Sequence, residues 1–163
     1  MLEDEVSIAV SPLPIVRDLA MQAATFRAAT RWVPSESDIQ RGRIAMLDVF
    51  RLPQNLRLKK FAALSGRSRQ QICNDIGARR LLTLDVGRRG CKLPAWQLDR
   101  RKQQLTEAVL RSARGVDNWT IYGVLSLPLE VFEEQSPLDA LQKESVETVV
   151  RAVLNVLGII DGY

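Results

Sequence analysis

Prolines and glycines cut this chain into short segments, and that punctuation limits the fold before composition is considered. Pro12, Pro14, Pro34, Pro53, Pro94, Pro128 and Pro137, with Gly66, Gly77, Gly87 and Gly90, leave mostly stretches of helix length. Apolar residues inside them recur at three- and four-residue spacing, as on one face of a helix. Val16, Leu19, Ala20, Ala23, Phe26, Ala29, Trp32 and Val33 predict a helix over 15–33, which Pro34 stops. Ser35 or Ser37 would cap a second, with Asp38 in its first turn, running through Ile39, Ile44, Leu47 and Phe50 to about Leu52. Further helices are expected over 55–64, 68–76, 99–114, 119–125, 128–134, from Leu138 onward and over 145–157. Short strands are expected only at 81–84 and 91–93, joined by a hairpin turn at Gly87-Arg88-Arg89-Gly90. The reading is mainly α: a helix-turn-helix with a β-hairpin wing, followed by a small helical bundle.

The chain has 163 residues and contains no histidine. Ser-His and Cys-His nucleophile pairs, His-ligated metals and the commonest general base are therefore excluded. Its two cysteines, Cys73 and Cys91, form no CxxC pattern and read as small packing residues. There is no Gly-rich phosphate loop and no cluster of metal ligands, so no enzyme, metal or cofactor is expected. The acidic opening MLEDEVSIAV does not resemble a signal peptide, and no apolar run is long enough to span a membrane. A cytoplasmic protein with reduced thiols is the default.

Charge is strongly segregated. Residues 51–103 carry 14 Lys/Arg against Asp75, Asp85 and Asp99, while both flanking thirds are net acidic. Such a block repels itself unless a polyanion or an acidic partner offsets it; the plain alternative is a solvated basic face. Within it, 61–72 has the layout of a helix-turn-helix. Ala62 is small enough for a close crossing, Gly66 suits a tight turn, and Ile72 points back into a shared core. The second helix would then present Ser68, Arg69, Gln70, Gln71 and Asn74 to DNA. Arg69, Gln70 and Asn74 suit base edges, whereas Lys59, Lys60 and Arg67 suit phosphates. Arg79 and Arg80 extend the basic surface. Arg88, Arg89 and Lys92 would form a wing along the backbone or in the minor groove; otherwise the ribbon is structural, with solvated arginines.

From about Arg67 the order of features resembles the Xre/MbcA/ParS antitoxin family. The resemblance rests on Leu81-Leu82-Thr83-Leu84, Leu93-Pro94-Ala95-Trp96-Gln97-Leu98-Asp99, Asn118-Trp119 with Leu125, and Ser136-Pro137-Leu138-Asp139-Ala140-Leu141. It covers roughly 67–155. Leu98 stands where an aromatic is usual, Lys143-Glu144 where a glycine is common, and some fifty N-terminal residues have no counterpart. The resemblance implies a helix-turn-helix repressor of its own operon whose C-terminal domain holds a RES-type, NAD-consuming toxin inactive.

Partner contacts would then involve Trp96, Trp119, Ser136 and Asp139. The acidic run Glu130, Glu133 and Glu134 would meet a basic partner surface. Each has a plainer role: Trp96 and Trp119 as packing, Ser136 and Asp139 as helix capping, the glutamates as a solvated helix face. Three regions follow, a helical segment over 1–53 suited to dimerisation, a winged helix-turn-helix over 54–98 and a partner-binding helical domain over 99–163. The leading functional expectation is a homodimeric, double-stranded-DNA-binding transcriptional regulator, antitoxin-like, with a protein partner. The alternative is an interaction adaptor whose degenerate helix-turn-helix does not bind DNA.

Overall fold

The computed structural model describes residues 33–159. The helix expected over 15–33 lies outside them but for Val33. Seven α-helices are described: α1 (Glu36–Phe50), α2 (Leu58–Ser65), α3 (Arg69–Gly77), α4 (Arg100–Ser112), α5 (Asn118–Ser126), α6 (Pro137–Ala140) and α7 (Val146–Val156). Three strands, β1 (Asn55–Arg57), β2 (Leu84–Asp85) and β3 (Cys91–Pro94), form an antiparallel sheet in the order β1-β3-β2. The fold is mainly α with a small sheet, as the punctuation predicts.

Helix starts follow their side chains. Ser35 accepts from Asp38 N and Asp38 answers on Ser35 N, so α1 begins with a capping box. Asp99, Asp117, Ser136 and Ser145 cap α4, α5, α6 and α7 in turn. Each such cap is worth about 1 kcal/mol to its helix.

The sheet is a wall with a core on each side. Leu56 of β1 stands opposite Leu93 of β3, and both point toward α2 and α3. With Phe61, Ala62, Ile72 and Leu81 they make the smaller core. One residue along, the pleat turns the side chains over. Arg57 stands opposite Lys92, Lys92 opposite Leu84, and these face the larger core, where Leu84 is buried. That core joins Val49 and Phe50 of α1 to Leu105, Val109, Ile121, Leu125, Val149 and Val153 of α4, α5 and α7. The expected divisions after residues 53 and 98 do not follow these cores, because the end of α1 and residues 82–84 pack with the later helices.

Three expectations about elements need correction. The helix expected over 55–64 starts only at Leu58; Asn55–Arg57 is instead a strand on β3, alternating Leu56 toward one core with Asn55 and Arg57 toward the other. The strand expected over 81–84 is reduced to Leu84–Asp85. Leu81 and Leu82 enter different cores, and the Gln97 amide takes the Leu82 backbone in place of a neighbouring strand. The helix expected over 128–134 is a single 3-10 turn at Glu130–Phe132. Glu133 (φ 53°) and Glu134 (φ 66°) are left-handed, which stops a helix and brings Gln135 back beside Leu129.

No helix among the described residues is long and apolar enough to cross a membrane.

Candidate nucleic-acid interface

The α2–turn–α3 unit is built by three small requirements. Gly66 closes α2 at φ 71°, a conformation that disfavours side chains. Ala62, in the last turn but one of α2, is buried, and Ile72 of α3 is wholly inaccessible in the smaller core. Ser68 then starts α3. Its Oγ accepts from Gln71 N at 3.1 Å, and the Gln71 Oε1 accepts from Ser68 N at 2.8 Å.

That capping box employs Ser68 and Gln71 in holding the helix. Outward on α3 stand Arg69, Gln70, Cys73 and Asn74, all exposed, with Gln70 Nε2 donating to Asn74 Oδ1 at 3.0 Å. Such an amide pair is pre-oriented, and a base edge meeting it would have to exchange that bond for its own.

The cations sort into three groups. Arg67 and Arg80 both reach Asp75, at 2.8 and 3.3 Å, so the carboxylate ties the turn before α3 to the loop after it. Arg79, expected on the DNA surface, turns the other way. Its φ of 58° is left-handed, its Nε donates to Leu110 O at 2.8 Å, and its Nη2 is buried without a partner. It latches the helix-turn-helix to the end of α4. Lys92 is likewise placed on the larger-core face, its Nζ 4.7 Å from the centre of the Phe50 ring. Burial, reinforced by the charges of Arg57 and Arg51, pulls its pKa below the usual lysine value.

Lys59, Lys60, Arg69, Arg88 and Arg89 form the third group: exposed, with no carboxylate partner among the described residues. Lys59 and Lys60 follow β1 in the first turn of α2, and Arg88 and Arg89 lie in the turn between β2 and β3. Arg57 Nη1 donates to Arg89 O at 2.7 Å, so the 3-10 turn Gly87–Arg89 that carries the tip is anchored two residues before Lys59. Sequence reasoning missed Arg57 and Asp75. Alternation of Asn55, Leu56 and Arg57 was the available signal for the first; nothing local marks the second, whose partners lie eight residues before and five after it.

Cys91 is half-buried. Burial, then the charges of Asp85 and Cys73, push its thiol above the ordinary pKa, with Arg57 offsetting part of this. Its thiol therefore stays protonated, whereas Cys73 is exposed.

The residues expected to meet a protein partner mostly hold the fold. Trp96 stacks on Tyr122 with centroids 5.1 Å apart and donates to Thr106 Oγ1 at 3.1 Å. Trp119 meets the same ring edge-on and donates to Asp85 O at 3.1 Å. Tyr122 is buried, which raises its phenol pKa against the lowering pull of a hydrogen bond with Asn55. Ser136 is buried and caps α6, leaving Asp139 exposed in the first turn. Glu130, Glu133 and Glu134 are exposed on the left-handed loop, not along a helix, around an exposed Val131. Among the described residues no three His, Cys, Asp or Glu side chains gather in a metal-binding group.

Comparisons with protein-family models, with characterised proteins and with solved structures give no match to this chain.

Proposed function

We propose that this chain is a double-stranded-DNA-binding transcriptional regulator that works in the cytoplasm as a homodimer. The observation that supports the reading is a capped, outward polar helix face in a chain segment whose exposed cations have no carboxylate partner among the described residues. Arg69, Gln70 and Asn74 supply donors and acceptors suited to base edges, and Lys59, Lys60, Arg88 and Arg89 supply charge for the flanking phosphates. Two-fold pairing of such units doubles the contacts and matches a palindromic site. The resemblance to the Xre/MbcA/ParS antitoxins extends the reading to repression of its own operon and to a RES-type toxin as partner.

Binding to the chain's own upstream region, measured across salt concentrations, tests this. Arg69→Ala with Gln70→Ala should erase preference for that region over random duplex. Arg88→Ala with Arg89→Ala should weaken binding to both and flatten the log–log salt slope by about 2, one counterion for each phosphate that the variant no longer neutralises. Absence of binding at low salt defeats the reading and leaves a protein-interaction adaptor.

A further inference from the structure

A cleft of about 910 Å³ runs along α4, and Arg67 reaches into it from the turn before α3. Its cations are Arg67, Arg100 and Arg111; Arg67 also holds Asp75 at 2.8 Å, a bond that a docked carboxylate would share. Its carboxylate, Glu107, is already held by Arg111 at 3.4 Å and by Gln103 at 3.0 Å. At one end lies a notch where the exposed side chains of Leu64 and Leu98 stand beside buried Phe61 and Leu81. On the other side of Arg67 a groove continues between Gln71 and Asn74 of α3 and Gln103 of α4.

Arginines in a row, ending at an aliphatic notch, complement a peptide that carries carboxylates beside aliphatic side chains. A duplex would leave the notch unfilled. The chain holds such a peptide outside the described residues. Residues 2–8 read Leu-Glu-Asp-Glu-Val-Ser-Ile, and the first basic residue of the sequence comes only at Arg17. Twenty-four residues lie between Ile8 and Val33. With 15–33 helical, as the sequence predicts, the helix spans about 28 Å and the extended stretch from 8 to 15 about 23 Å more. That is roughly 50 Å in all, against a folded body roughly 35–40 Å across. The segment can therefore reach the cleft, and attachment raises its local concentration to about the millimolar range, above that of a free competitor.

We propose that residues 2–8 dock in the α3–α4 cleft. Glu3, Asp4 and Glu5 pair with Arg67, Arg100 and Arg111, and an aliphatic neighbour fills the notch between Leu64 and Leu98. The docked segment covers the Gln71–Asn74 edge of α3, so it competes with duplex. That consequence rests on the DNA-binding reading; the docking itself does not.

The full chain carrying Ser7→p-benzoylphenylalanine, irradiated and digested, tests the docking by mass spectrometry. Cross-links are expected within 97–112 or at Leu64, and in a mixture of light and heavy chains they should join residues of one copy. Arg100→Glu with Arg111→Glu, both exposed positions, should cut the yield about tenfold. Cross-links elsewhere, none at all, a yield indifferent to the arginines, or links between copies would each overturn the proposal. Glu3→Gln with Asp4→Asn and Glu5→Gln should also raise duplex affinity about three- to tenfold at low salt. If the cross-link forms while duplex is not bound by any variant, the docking stands and the DNA reading fails.

Discussion

Gln97 serves as a strand. Its amide is buried, its Oε1 accepts from Leu82 N at 2.6 Å and its Nε2 donates to Leu82 O at 3.0 Å. A backbone segment passing between two cores thereby gets both of its hydrogen bonds from one side chain. Asn118 donates to Thr83 O at 2.9 Å and Trp119 to Asp85 O, so three side chains from later in the sequence fasten Leu82, Thr83 and Asp85. Gln97→Leu keeps the volume and removes the bonds. It leaves a buried N–H and C=O unpaired, each costing about 1–3 kcal/mol. Loss of about 3 kcal/mol is expected in urea unfolding, read as a lower midpoint with an unchanged slope. A loss below 1 kcal/mol would mean that water or a shifted strand replaces the amide.

At the scale of elements, the turn between α2 and α3 depends on conformation alone. No atom lies within 4 Å of where a Gly66 Cβ would stand, so Gly66→Ala meets no clash and pays only for φ 71°. That is about 1–2 kcal/mol. In a chain of this size the melting temperature should fall by roughly 2–8 °C by calorimetry. The turn was legible because it is local: a small residue, a glycine four later and an apolar residue six after that lie within eleven positions. Two caps were legible for the same reason, Ser35 and Ser136 each announcing a start. Strand β1 was not, since an alternation only three residues long does not decide between strand and helix, and its form comes from a partner 35–39 positions away. Nor was the inward turn of Arg79, fixed by a left-handed φ and by a carbonyl on α4. Among the basic residues, type and order were readable, but the division into free, carboxylate-bound and core-facing cations is tertiary. The motif Leu93-Pro94-Ala95-Trp96-Gln97 was visible as a pattern, while the reason for its glutamine lies fifteen residues upstream.

For the molecule as a whole, the sheet decides how the basic unit and the later helices depend on each other. Leu93 and Lys92 are neighbours in β3 that face opposite cores, and Leu81 and Leu82 divide in the same way. Arg79 and Gln103 add two bonds across the same boundary, to Leu110 O and Arg80 O at 2.8 and 3.0 Å. A core cut off from this wall would expose the backs of the strands, so the two should open together. Leu93→Ala, a truncation at a fully buried site of the smaller core, should cost about 2–5 kcal/mol. If the wall couples the cores, hydrogen exchange of the slowest amides in α4 and α7 should accelerate by the same factor as in α2 and α3, although Leu93 belongs to the other core. Faster exchange confined to α2 and α3 would mean that the helix-turn-helix opens by itself. A stiff coupling also has a consequence for DNA: binding energy gained at α3 would then stabilise the later helices as strongly as its own. Protection of α7 on adding duplex reports that directly.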